Sequence, residues 1–200
     1  AGLVAALGSG SDDDVRETIV WAIGNIEATE AAPALTDVLR KDRQGDVREM
    51  AAWALGELES ASAADALGEA AGNDAEASVR ATAAWALGQL ELQQAPAGLI
   101  KAVTDKDAEV RTRAAWALSE IRDAHAINAL RSALKGESAP TARKAQIRAL
   151  VLSGEKSEAF FKELLTSDDP EVREAAVGGM AGQRMHPWPW PMPRPRPFPE

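Results

Sequence analysis

The chain has 200 residues, is 46% hydrophobic and carries a net charge of −9. It is therefore long and apolar enough to bury a substantial core, and too acidic for a nucleic-acid backbone to be its main partner. It contains no cysteine, which excludes disulfides, thiolate catalysis and cysteine-based zinc sites.

Taken in order, the chain reads as pairs of helices. A short apolar helix over Gly2 to Leu7 precedes a longer one from Asp13 to Ile26. The same alternation continues with first helices at Ala31 to Arg40, Ala63 to Ala71, Ala95 to Val103, Ala124 to Leu134 and Glu158 to Leu165. Second helices follow at Asp46 to Leu58, Ala77 to Leu90, Ala108 to Ile121, Pro140 to Leu152 and Pro170 to Ala181. Polar loops such as Lys41 to Gly45 separate the two. Acids open several second helices, where they suit capping and the helix dipole. Pro170 fits a first helical turn. Gly24, Gly56 and Gly88 near the helix ends suit a close contact or a late bend.

The second helices are copies of one another. VRETIVWAIGNI at Val15, VREMAAWALGEL at Val47, VRATAAWALGQL at Val79 and VRTRAAWALSEI at Val110 recur with a period of about 31 residues. Ala142 and Val172 begin weaker copies, in which Arg148 and Gly178 take the tryptophan position. A fixed period of this size marks a stacked-repeat solenoid. The expected divisions are 1–28, 29–60, 61–92, 93–122, 123–153 and 154–182, followed by a tail over 183–200.

At about 100° per residue from Val15, Ile19, Ala22, Ile23 and Ile26 form one apolar stripe. Trp21 falls near 240°, on the outward side with Asp14, Glu17, Thr18 and Asn25. Trp53, Trp85 and Trp116 share that phase, so stacking sets all four in a ladder. Outward phase predicts an exposed aromatic strip, which is a surface that proline-rich peptides dock against. It also predicts that Trp53→Ala and Trp85→Ala leave the fold largely intact. The competing use is packing: each ring leans over its neighbour and covers the alanine-rich joint between repeats.

The pattern DxxVRxxAAxALGxL after an AxxxLxxxL helix resembles HEAT repeats, of the short type found in bilin lyases and many bacterial proteins. The resemblance covers residues 1 to about 182. It implies an all-α, right-handed solenoid of about six hairpins, with first helices convex and second helices lining a concave side. It also implies that Arg16, Arg48, Arg80, Arg111 and Arg173 bond loop acids and carbonyls between repeats. The copies differ too much from one another to look like a consensus design.

On the concave side, the candidate peptide-binding set is Trp21, Trp53, Trp85 and Trp116 with Met50, Asp14, Glu17, Asp46, Glu49, Glu57, Glu109, Arg113 and Glu120. For any one acid the ordinary reading is a solvated helix face. Together the acids favour a cationic ligand, and Arg113, Lys144 and Arg148 break the pattern toward the C-terminal end. His125 and His186 lack a second ligand at metal spacing, so no metal or cofactor is expected. No paired nucleophile and base and no phosphate loop is visible. No residue supports lyase chemistry, and the reading is non-enzymatic; the alternative is a regulatory or accessory part of a larger enzyme.

Beyond Gln183 proline fills every second position from 187 to 199. Missing N–H donors forbid a helix or central strand, and an extended polyproline-II-like conformation is the default. The segment is open to use as a linker, as a proline-rich ligand or, least well, as a cationic membrane-active stretch. As a ligand, Pro187, Trp188, Pro189, Trp190, Pro191, Arg194, Arg196 and Phe198 would meet the ladder of the same molecule or of a neighbour. No apolar run spans a membrane and no compartment signal is visible. The chain opens at Ala1 already in repeat phase, and reads as a soluble segment of a longer protein of bacterial type.

Overall fold

The computed structural model describes residues 2–7 and 12–181. Among these residues twelve α-helices follow one another: α1 (Gly2–Leu7), α2 (Asp13–Asn25), α3 (Ala32–Lys41), α4 (Gly45–Glu57), α5 (Ala64–Asn73), α6 (Ala77–Gln89), α7 (Ala97–Ala102), α8 (Ala108–Ile121), α9 (Ile127–Gly136), α10 (Pro140–Leu152), α11 (Glu158–Leu165) and α12 (Pro170–Met180). Single 3-10 turns lead into α3, α5 and α9. The expected start at Ala124 is one of these turns, with Asp123 accepting from the His125 N–H at 2.9 Å. The expected helix from Ala95 is shorter and begins at Ala97, behind Pro96.

Each even-numbered helix packs on its odd-numbered partner and on the even-numbered helices before and after it. The even helices thus form a continuous inner layer. Alanine is the commonest residue at its buried positions, which lets neighbouring helix backbones approach closely. Leucines at the helix–helix seam within each hairpin, such as Leu35, Leu55, Leu67 and Leu87, are fully buried. Between the odd helices the tightest joint is α5 on α7, where a Cβ at Gly98 would run into the Gly68 carbonyl. One hydrophobic core runs from α2 to α10, and a smaller one joins α10, α11 and α12.

A ladder of ion pairs ties consecutive hairpins. The Arg48 guanidinium grips Asp74 with two bonds of 2.8 Å and also donates to the Asp42 carbonyl at 3.0 Å. Arg16 grips Asp42, Arg80 grips Asp105 and Arg111 grips Glu137 in the same way. Each of these carboxylates also accepts the backbone N–H two residues on, as in Asp74 from Glu76 at 2.9 Å. Arg16, Arg48, Arg80 and Arg111 therefore do what the resemblance implied, whereas Arg173 donates to the Ser167 carbonyl of its own hairpin.

The even helices end on residues with positive φ. Glu27, Glu59, Glu91 and Arg122 lie at 52°, 47°, 47° and 57°. At Glu59 the stop is closed by Glu59 N–H to Gly56 O at 3.0 Å and Ser60 N–H to Leu55 O at 3.2 Å. In the fifth hairpin Gly154, at 93°, takes this place without side-chain strain.

Candidate peptide-binding face

With three sides of each even helix packed, one side is left to solvent. Proceeding along it, α2 offers Asp14 and Glu17, and α4 offers Asp46, Glu49 and Glu57. Asp14, Asp46 and Glu57 are exposed, while Glu17 and Glu49 are half-buried. Glu49 accepts a bond from the Thr82 hydroxyl at 3.1 Å, which joins α4 to α6 across the face. On α6 the corresponding residues, Ser78 and Gln89, are uncharged. On α8, Glu109 and Glu120 are exposed, and Arg113 pairs with Glu109 one turn away. On α10 the sign has reversed: Lys144 bridges Asp169 at 3.1 Å and Glu171 at 2.9 Å, and Arg148 follows. Burial pushes the Arg148 guanidinium below its usual range, Glu120 opposes this and Arg122 adds to it. The face is thus acidic over the first two hairpins, uncharged over the third and acidic again over the fourth apart from Arg113, while the fifth carries Lys144, already held by two carboxylates, and Arg148.

The tryptophans correct the expectation of an exposed aromatic strip. Trp53 is 8% exposed and Trp85 only 3%. Trp21 and Trp116 are half-buried, and Met50 is buried. The reason is a recurrent contact with the preceding hairpin. A methyl group at Gly24 would lie 2.7 Å from Trp53 Cζ3, and one at Gly56 would lie 2.8 Å from Trp85 Cζ3. Gly88 receives the Trp116 ring in the same manner. Each indole lies across the glycine of the helix before it and closes the joint. The glycines, noted in the sequence only as sites of close contact, are the other half of this joint and were the signal that the rings pack sideways.

Where the pattern changes, both halves change. Ser119 replaces glycine on α8 and Arg148 replaces tryptophan on α10. Val151 replaces glycine on α10, and opposite it Gly179 replaces the alanine that follows the tryptophan position. A Cβ at Gly179 would lie 2.9 Å from Val151 Cγ1. Volume added on one side of the joint is removed on the other, as close packing requires.

The proline-rich set Pro187, Trp188, Pro189, Trp190, Pro191, Arg194, Arg196 and Phe198 lies outside the described residues. Among the described residues no helix is long and apolar enough to cross a membrane.

A family profile for HEAT repeats matches residues 1–88 and 66–151. Among curated proteins none matches significantly. Several solved structures share the fold. An engineered protein aligns with a TM-score of 0.67 and 23% identity over 90% of this chain and 94% of its own. The complex of CpcE and CpcF of phycocyanin lyase from Nostoc sp. PCC7120 aligns at 0.64 and 23%, over 88% and 74%. A designed armadillo repeat protein in complex with the peptide (KR)4 aligns at 0.67 and 18%, over 92% and 98%. At these identities the likeness is one of fold, whereas the profile covers most of the chain: it belongs to the HEAT repeat family.

Proposed function

We propose that the chain is a non-enzymatic scaffold that binds an extended peptide along the solvent face of its even helices. The observation that carries this reading is the acidity of the first two hairpins. Five carboxylates, Asp14, Glu17, Asp46, Glu49 and Glu57, stand on this face of α2 and α4, and neither helix contributes a basic side chain to it. The arginines of those helices, Arg16 and Arg48, are turned into the loop ladder. A ligand with cationic residues gains most over the first two hairpins. The designed solenoid of similar fold that holds the lysine-arginine peptide (KR)4 is a parallel in kind.

The finer reading is a proline-rich, arginine-bearing ligand, with the segment 184–200 as its example, reached in cis or from a neighbouring molecule. Proline contacts on this face fall to the open parts of Trp21 and Trp116, since Trp53 and Trp85 are covered. Arginine contacts to the acids therefore dominate, and binding weakens as salt rises. The test is a calorimetric titration of the chain lacking 184–200 with that segment as a free peptide, at low and high salt. Saturable, salt-sensitive binding is expected. Absence of binding, or binding indifferent to salt, would overturn the reading.

A further inference from the structure

The ion-pair ladder repeats one loop design, and one loop departs from it in a single respect. Asp42, Asp74, Asp105 and Glu137 each hold the arginine of the preceding hairpin. Each also accepts the backbone N–H two residues on. The carbonyls of the first three accept from the arginine six residues on, Asp42 from Arg48, Asp74 from Arg80 and Asp105 from Arg111. In the loop before α12 this place belongs to Ser167. Its Oγ accepts the Asp169 N–H at 3.2 Å, and its carbonyl accepts from Arg173, six residues on, at 2.6 Å. The backbone of the rung is complete and its negative charge is missing. The arginine in register on the preceding hairpin is Arg143, the counterpart of Arg111. It is half-buried, and among the described residues its guanidinium has no carboxylate partner. The fifth and sixth hairpins are instead joined by Lys144, on Asp169 at 3.1 Å and Glu171 at 2.9 Å.

We propose that Ser167 is a phosphorylation site whose phosphate supplies the missing acid of this rung to Arg143. The γ-phosphoryl group of a nucleoside triphosphate passes to Ser167 Oγ. The new P–O bond forms as the bond to the bridging oxygen breaks, the nucleoside diphosphate leaves, and the hydroxyl proton goes to the base of the modifying enzyme. Ser167 is half-buried between exposed Thr166 and Asp168, so the segment lies at the surface. A phosphoserine places its terminal oxygens as many bonds from Cβ as a glutamate does, and Glu137 already serves as such a rung. Its charge of about −1.5 to −2 and three acceptor oxygens suit an arginine fork. The acids nearby oppose it weakly: Asp169 and Glu171 are paired with Lys144, and Asp168 is screened by solvent. The modification would couple the fifth and sixth hairpins as the carboxylates couple the others.

The test has an enzymatic arm and a physical arm. The intact chain is treated with ATP and a serine kinase that selects acidic residues after its target, and the product is mapped by mass spectrometry. Phosphate on Ser167 is expected; an unmodified chain, or phosphate on Thr166 alone, would overturn the proposal. In the physical arm, phosphoserine is encoded at position 167, with and without Arg143→Gln. The melting temperature should rise by about 2 °C or more, and Arg143→Gln should remove most of the rise. In phosphorus NMR, the second ionisation of the phosphate should fall at least about half a unit below its ordinary value near 6, and return toward it in Arg143→Gln. Ser167→Glu should reproduce part of the stabilisation by building the rung that Glu137 forms. A phosphate that lowers the melting temperature, or effects that persist undiminished in Arg143→Gln, would overturn the assignment of Arg143 as its partner and the proposal with it.

Discussion

The indole–glycine joint is where single residues decide the most. Trp85 is nearly completely covered, and its ring occupies space that only a glycine leaves open on α4. Trp85→Ala therefore empties a large volume and should cost about 3–5 kcal/mol, as for other buried aromatic truncations. Denaturant melts against Leu87→Ala are the check; near-neutrality would return the ring to the surface. Gly56→Ala should destabilise as well, because the added methyl meets the indole. Combined with Trp85→Leu, its cost should be less than the sum of the two, since the smaller side chain makes room. The Val151 and Gly179 pairing is the same compensation already present in the chain.

At the scale of the element, the even helices are stopped by a residue in a left-handed conformation that glutamate adopts at a cost. Glu59→Gly removes that strain while keeping the two closing backbone bonds, and should stabilise by about 0.5–1 kcal/mol. A lower midpoint in a thermal melt would show that the Glu59 side chain contributes more than its backbone costs. The loop carboxylates make the linkage between hairpins sensitive to acid. Burial raises Asp74, but the Arg48 fork and the Glu76 N–H outweigh it, leaving the group below the ordinary carboxylate range; Asp42 and Asp105 behave alike. At Glu137 the Arg111 fork dominates over burial. A carboxylate with a lower pKa folded than unfolded stabilises above its unfolded value, and that contribution fades as pH falls through the folded value. Melting temperature should therefore be insensitive to these groups near neutrality and fall steeply below about pH 4. A melting temperature flat down to pH 2 would mean that the ladder contributes nothing.

At the scale of the whole molecule, the helices of the described residues pack chiefly within a hairpin and on neighbouring hairpins, so position in the stack sets the cost of a lost side chain. Leu87→Ala in the middle should cost about 2–5 kcal/mol and Leu7→Ala at the edge, where the leucine is only half-buried, clearly less. Equal losses would point to one indivisible core. Most of this architecture was legible beforehand, because Val-Arg and Ala-Leu-Gly recur at a fixed spacing and bring their helix with them. The arginine ladder was legible through the family resemblance. The tryptophan environment was legible only as the competing use, a ring covering the joint between repeats, and not as the one that helical phase favoured. Helical phase measures an angle from a helix's own apolar stripe, which suffices when one side is buried. In an inner layer three sides are buried, and a ring at 240° meets the helix before it. The information lay in residues about 29 positions apart, Gly24 with Trp53 and Gly56 with Trp85, which no single-helix reading joins. The acids needed no neighbour to place them, since Asp14, Asp46, Glu57, Glu109 and Glu120 are exposed as their phase implied.

The claim that the acidic end of the face recognises a cationic extended segment is tested most directly by neutralising that end alone. Asp14→Asn, Glu17→Gln, Asp46→Asn, Glu49→Gln and Glu57→Gln together remove the charge and keep the shape. Titrated with the 184–200 peptide at low salt, this variant of the chain lacking 184–200 should bind at least about tenfold more weakly than its parent. It should also lose most of the parent's salt dependence. Unchanged affinity with the salt dependence intact would contradict the account and place the ligand elsewhere on the solenoid.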